Sequence, residues 1–298
     1  MTGGPIVVIG DVMTDVIARV EDPLALGSDT PARVVTRQGG AGANVAAWLA
    51  ALGHPVAFVG CVGDDPFGRE AVQVLAAAGV MTHVAVDPTA ATGTCVVLVG
   101  RDGERTMLPD AGANSALSVR HLPLEAIRQA GHLHVSGYTL LNPGSRPAGH
   151  AALTAAHEAD VPTSVDAASA APLEAVGAGE FIRLTEGVDL LICTLDEAEV
   201  LCGSRDPDIG SARLTAHYPQ LLLKLGAGGA LWRAADDRPG CSVPAVAASG
   251  VIVDSTGAGD AFAAAYLATT GRGGPVTDGL AAGCAVAATV ITRTGARP

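Results

Sequence analysis

Short β-branched runs alternate along the chain with alanine-rich stretches of helical periodicity: PIVVIGD leads to GGAGANVAAWLAALG, and PVAFVGCVG to FGREAVQVLAAAGV. This β-α-β-α punctuation predicts a mainly parallel sheet covered by helices. The alternation resumes with HLHVSGY, VPTSVDAAS, VDLLICTLDEAEVL, QLLLKLGAGGALW and AFAAAYLATTG. The apolar runs suit strands buried on both faces, with ligand groups at their C-terminal ends. Two stretches break the pattern. Residues 12–37 and 92–108, the latter reading TGTCVVLVGRDGERTML, hold strand-like segments separated by turns without intervening helices. Arg101-Asp102-Gly103 fits a hairpin turn there. We expect one three-layer α/β domain over residues 1–298, with the two stretches forming a small β-rich lid inserted in it; no internal repeat, low-complexity tract or linker divides the chain.

Composition narrows the function classes. The 298 residues suffice for one large core. A net charge of −12, with 18 Lys and Arg against 30 Asp and Glu, opposes a hold on nucleic-acid phosphates or an anionic membrane, so neither partner is expected. Although 49% of residues are hydrophobic, no uninterrupted apolar segment reaches the roughly 18 residues of a membrane span. The start, MTGGPIVVIGD, lacks the basic and apolar regions of an export signal. Six cysteines are scattered without a CxxC pair, which favours reduced thiols and a cytoplasmic location.

Common catalytic signatures are missing. Lys224 is the only lysine and precedes Leu225, so there is no Gly-Lys-Ser/Thr phosphate loop. GGAGAN, KLGAGG and TGAGDA each fail the full GxGxxG spacing of a dinucleotide site. GxSxG and HExxH are absent too. His132 and His134 share one face of a strand, but without an acid or cysteine at ligand spacing they read as packed histidines rather than a metal pair. VDSTGAGDAFAAAYL, residues 253–267, is more informative. A helix start exposes unpaired amides, and glycines let an anion approach them, so Gly257, Ala258 and Gly259 read as an anion cradle. Asp260, taken alone, reads as a helix cap or first-turn acid.

Four segments in chain order carry a resemblance: GDVMTD with Asp15, GGAGANVAAWLAALG with Asn44, KLGAGGALW, and DSTGAGDAFAAAYL. Together they resemble the ribokinase-like, or PfkB, family of carbohydrate and nucleoside kinases, from the first strand to VITRTGA. The resemblance implies ATP-dependent phosphoryl transfer to a hydroxyl, with Asp260 as general base and the amides of Gly257, Ala258, Gly259 and Asp260 as the anion hole. It implies that Asp15, Gly39, Gly40 and Asn44 hold sugar hydroxyls, for which a carboxylate and a carboxamide supply acceptors and donors. Lys224, Gly226, Gly228 and Gly229 are the implied ATP neighbours, and Arg105, in the lid, reads equally as a substrate or phosphate contact and as a solvated arginine.

One departure stands out: the family's usual Asn-x-x-Glu is TLDEAEVL here, with Thr194 replacing Asn and Glu197 kept. A hydroxyl still bonds a metal-bound water, so Mg²⁺ dependence with altered affinity is expected, Glu197 acting indirectly. The resemblance also implies a monovalent-cation (K⁺) region at Asp254, Thr256 and the turn 292–295, and a homodimer through the lid. Only 3% of residues are aromatic and none is among the substrate candidates, which favours an unphosphorylated monosaccharide (ribose, fructose or a keto-deoxy sugar acid) over a nucleoside, the second choice. Ala41 stands where ribokinases proper commonly carry a lysine, and Arg33, Arg37 and Arg105 converge on no one point. A non-catalytic sugar or nucleotide sensor of the same fold is the rival class.

Overall fold

The computed structural model describes residues 4–101, 105–236 and 238–298, without the side chain of Arg105. Its strands are β1 (Ile6–Ile9), β2 (Met13–Val20), β3 (Ala32–Gly39), β4 (Val56–Gly63), β5 (Met81–Asp87), β6 (Thr94–Val99) and β7 (Arg105–Asp110). There follow β8 (His132–Ser136), β9 (Thr163–Asp166), β10 (Leu190–Thr194), β11 (Gln220–Lys224), β12 (Ala230–Ala234) and β13 (Cys241–Val243). Nine form one sheet in the order β13-β12-β11-β10-β9-β8-β1-β4-β5. It is parallel from β11 to β5 and antiparallel only at the β11-β12-β13 edge.

The continuous apolar runs have the burial they imply. Every residue of β1 and of β4 is buried. Successive side chains point to opposite faces. Val7 and Ile9 accordingly join a core beneath the helices Arg146–His157 and Leu195–Cys202, while Ile6 and Val8 join a second core with Ala41–Ala51, Ala258–Gly271 and Val276–Val290. Helices on both faces make the three-layer arrangement expected from the sequence. No helix among the described residues is long and apolar enough to cross a membrane.

The two aberrant stretches form a second sheet, ordered β3-β2-β6-β7, whose strands run to Gly39 and Asp110, two residues past each expected end. Its β6 alternates half-buried and buried positions, and its inner face closes over a small core of Met13, Ile17, Cys95, Val97 and Val99. β6 and β7 pair antiparallel, Val99 opposite Arg105; Asp102 and Gly103 of the expected hairpin turn lie outside the described residues. Three residues separate β1 from β2, so the smaller sheet leaves the larger one at the carboxyl end of a central strand.

That end collects the polar groups. Consecutive parallel strands finish at Lys224, Thr194, Asp166 and Ser136, and Asp11 follows β1 beside them. The opposite treatment is seen at His134, fully buried mid-strand, whose Nδ1 lies 2.8 Å from Ser164 Oγ, with His132 Nε2 2.7 Å from the same oxygen. Burial pulls His134 down to about 4 and His132 to about 3, so both are neutral packing groups.

Candidate active site

Helix Ala258–Gly271 begins at Gly257, whose left-handed φ of 77° suits glycine and whose missing Cβ leaves room for Ala296. The first amide with an acceptor one helical turn back is that of Ala261, bonded to Gly257 O at 2.9 Å. Ala258 N makes only a long 3.3 Å turn bond to Ser255 O. The amides of Gly259 and Asp260 therefore stand at a helix start that favours anions. Asp260 occupies the first turn, and its carboxylate accepts 2.9 Å from Asn44 Nδ2, 216 residues away; among the described residues it takes no bond from an amide of its own helix. A carboxylate meant to cap would turn back to its own amides. This one is bonded instead by a side chain of another helix.

Its environment suits proton acceptance near neutrality. Burial raises the Asp260 pKa to about 7, the Asn44 bond opposes that, Asp166 and Asp11 raise it and Lys224 lowers it. The residue keeps partial solvent exposure.

Asn44 is buried, 4% exposed, in the first turn of Ala41–Ala51. That helix starts after Gly40, whose φ of 93° and whose approach to Asp11 O exclude a side chain. Asp11 anchors the start: its carboxylate accepts from Ala41 N at 2.9 Å, Gly42 N at 3.3 Å and Ser136 Oγ at 3.1 Å. Gly39 is small for a different reason, since a Cβ would stand 2.5 Å from Asp15 Oδ2. Asp15, third in β2 and 8% exposed, is raised to about 6 by burial, with Arg297 lowering it and Asp11 and Asp254 raising it. The expected sugar-holding residues Asp15, Gly39, Gly40 and Asn44 thus meet at one place, beside Asp260.

Lys224 sits on the other side. Its Nζ bonds Asp166 Oδ2 at 2.7 Å and lies 3.3 Å from where a Cβ on Gly259 would stand. Burial would lower the lysine's pKa, but Asp166 and Glu197 outweigh it and the net shift is upward, so the ammonium is permanent. Gly226 and Gly228 shape the turn between β11 and β12, and Gly229 N closes it on Gly226 O at 3.1 Å. The Thr194 and Glu197 pair forms a capping box on Leu195–Cys202: Thr194 N donates to Glu197 Oε2 at 2.8 Å and Glu197 N to Thr194 Oγ1 at 3.3 Å. Glu197 is 5% exposed, and its pKa is raised by burial, with Lys224 opposing and Asp166 adding. Asp254 accepts from Thr256 N at 2.8 Å and Gly295 N at 3.4 Å, tying the approach to the helix to the turn after Val276–Val290. The Arg105 side chain lies outside the described residues.

Several contributors were not singled out from sequence. Asp11 and Asp166 appear there only within quoted runs, although the carboxyl end of a parallel strand is where such groups act. Tyr138, its pKa raised first by burial and then by Asp11, faces the same carboxylates. Arg297 donates from Nε to Asn44 Oδ1 at 3.1 Å and from Nη2 to Gly39 O at 2.7 Å, a placement that no local pattern announces. Cavities of about 470 and 290 Å³ lie elsewhere and are lined by none of these residues.

Known proteins share this arrangement of the whole chain. A fructokinase of Klebsiella pneumoniae is 34% identical over 280 residues, covering 89% of this chain and 84% of the relative. An ATP-dependent ribose-1-phosphate kinase of Halopiger xanaduensis is 32% identical over 297 residues, covering 97% and 92%. Among solved structures, an adenosine kinase from Sinorhizobium meliloti superposes with a TM-score of 0.90 at 25% identity, over 100% of this chain and 96% of that one. Arabidopsis thaliana ribokinase, solved with ribose and ATP, gives 0.83 at 25% identity over 98% and 94%. Residues 5–298 match the description "pfkB family carbohydrate kinase". On that match over nearly its whole length, and on relatives of this identity and coverage, the chain belongs to the pfkB family of carbohydrate kinases.

Proposed function

We propose that this sugar kinase phosphorylates a hydroxyl of a free monosaccharide of the fructose type, using ATP and Mg²⁺, with Asp260 as base. The observation that carries the reading is the Asp260 carboxylate, held by Asn44 above a helix start rather than used to cap it. Asn44 occupies Oδ2, leaving Oδ1 to take the proton of the acceptor hydroxyl. The pKa of about 7 keeps the group both basic enough and ionised enough to do so at neutral pH.

The residues fit a nucleotide's phosphates. The amides of Gly259 and Asp260 and the Lys224 ammonium present positive charge together at the helix start. Among the described residues no three acids, histidines or cysteines group into a metal cage. Isolated carboxylates such as Glu197 match the habit of Mg²⁺, which binds mainly through phosphates and water. ATP supplies the phosphoryl group, and the metal offsets its charge. Gly226, Gly228 and Gly229 border the nucleotide, while Asp254 and Thr256 border a K⁺ position whose occupancy is read by replacing KCl with choline chloride. Val34 and Leu108, 56 and 54% exposed on the outer strands of the smaller sheet and on the face turned away from its core, are the surface through which a homodimer would form; light scattering measures it.

The acceptor class rests on the polyol-suited set Asp15, Asn44 and Asp260, with no stacking ring among them, and on the fructokinases among the relatives. The test is kcat/KM for fructose, ribose, 2-keto-3-deoxygluconate and adenosine under identical Mg²⁺ and K⁺. A free sugar should lead. A preference of a hundredfold for adenosine, about 2.7 kcal/mol, would overturn the acceptor class, and ADP release with none of them would favour a sensor.

A further inference from the structure

We propose that Arg297 is a positioning residue for the catalytic base: it locks the Asn44 carboxamide in the one orientation that serves ionised Asp260, and ties that pair to the sugar-side turn at Gly39. The inference rests on the reading of Asp260 as the base. Three contacts carry it. Arg297 Nε donates to Asn44 Oδ1 at 3.1 Å, Asn44 Nδ2 donates to Asp260 Oδ2 at 2.9 Å, and Arg297 Nη2 donates to Gly39 O at 2.7 Å. An arginine only donates and a carboxylate only accepts, so the carboxamide between them has a single satisfactory orientation. Without Arg297, Asn44 is free to turn its oxygen toward Asp260, where it would repel the charged form. The relay therefore favours the ionised base.

The arginine is fixed from both sides of the site. Trp48 Nε1, on the Asn44 helix, donates to Ala296 O at 2.8 Å, and Arg293 stacks 5.0 Å over the Trp48 ring. Ala296 fills the space left by Gly257 at the start of the Asp260 helix, and Gly295 N bonds Asp254. Burial lowers the Arg297 pKa to about 10 against the pull of Asp15, Asp11 and Asp260, so it stays charged at working pH. Its remaining nitrogen, Nη1, is buried with no hydrogen-bond partner among the described residues.

The test uses Arg297→Ala and Arg297→Lys in the full chain. Lysine restores a cation but not the Nε–H that Asn44 takes. Both variants should lose kcat by about tenfold or more, and millimolar guanidine should restore part of it in the alanine variant only. A second readout needs no turnover: the carboxyl ¹³C resonance of Asp260, assigned by its loss in Asp260→Asn, should titrate at least about half a pH unit higher in Arg297→Ala and also higher in Arg297→Lys, which keeps the charge and loses only the bond to Asn44. The groups facing Asp260, namely Asn44, Asp166, Lys224, Asp11, Tyr138 and Arg297, differ only at the last between the two proteins. Lysine retaining wild-type kcat, or an unmoved Asp260 titration, overturns the proposal. If no sugar is phosphorylated by the wild type while the titration still shifts, the acceptor assignment fails and the relay stands.

Discussion

At the scale of single residues, Asp260 exchanges stability for chemistry. Folding lifts its pKa from 3.8 to about 7, mostly through burial. Between those values the folded chain holds a proton that the unfolded chain releases, so its contribution is full at low pH and is lost as pH rises through 7. The loss is at most about 1.4 kcal/mol per pH unit and is reduced by the carboxylate's partial exposure. Asp260→Asn is free of it. Measured by thermal melts, the variant's stability relative to wild type should climb from pH 4 to 7 and level off above; a flat difference would show that the pKa is ordinary. The sequence made this aspartate visible because two glycines precede it at a helix start. Arg297 was invisible for the opposite reason: its partners lie 253 and 258 residues away, and only the folded chain brings them together.

Among the elements, the Thr194 and Glu197 capping box explains how a threonine holds the place of the family's asparagine. Thr194 is the N-cap of Leu195–Cys202, and either residue type caps well. Thr194→Ala should cost about 0.5–2 kcal/mol in urea unfolding. Thr194→Asn should keep stability within a few tenths of a kcal/mol while changing the Mg²⁺ concentration that gives half-maximal rate. Equal destabilisation by both would remove the capping account. Buried parallel strands such as β4 and β10 were legible because nothing interrupts their apolar runs. Asp11 and Asp166 mark where the runs of β1 and β9 stop but not what they hold, since a polar strand end reads the same whether it faces water, an amide or Lys224.

For the whole molecule, the smaller sheet rises from the carboxyl end of β1 and carries Asp15 on β2 and Gly39 at the end of β3, both in contact with the site. Sugar bridging Asp15 on this sheet and Asn44 on the main body would draw the two together and exclude water, which competes as phosphoryl acceptor. Hydrogen exchange in residues 13–39 and 94–99 should slow when fructose is added, and unchanged exchange with a verified substrate would contradict closure. The absence of helices from residues 12–37 and 92–108 announced this sheet; which strands pair across it did not follow from either stretch alone, because β2 joins β6 in parallel over a long separation. The most direct measurement on the account as a whole is single-turnover phosphoryl transfer from ATP to the preferred sugar, as a function of pH, in wild type and Asp260→Asn. Wild type should show an acidic limb near pH 7, and the variant, still folded and still binding ATP, should be slower by about two to four orders of magnitude without that limb. A variant that retains near-normal turnover, or the same limb, would contradict Asp260 as the base.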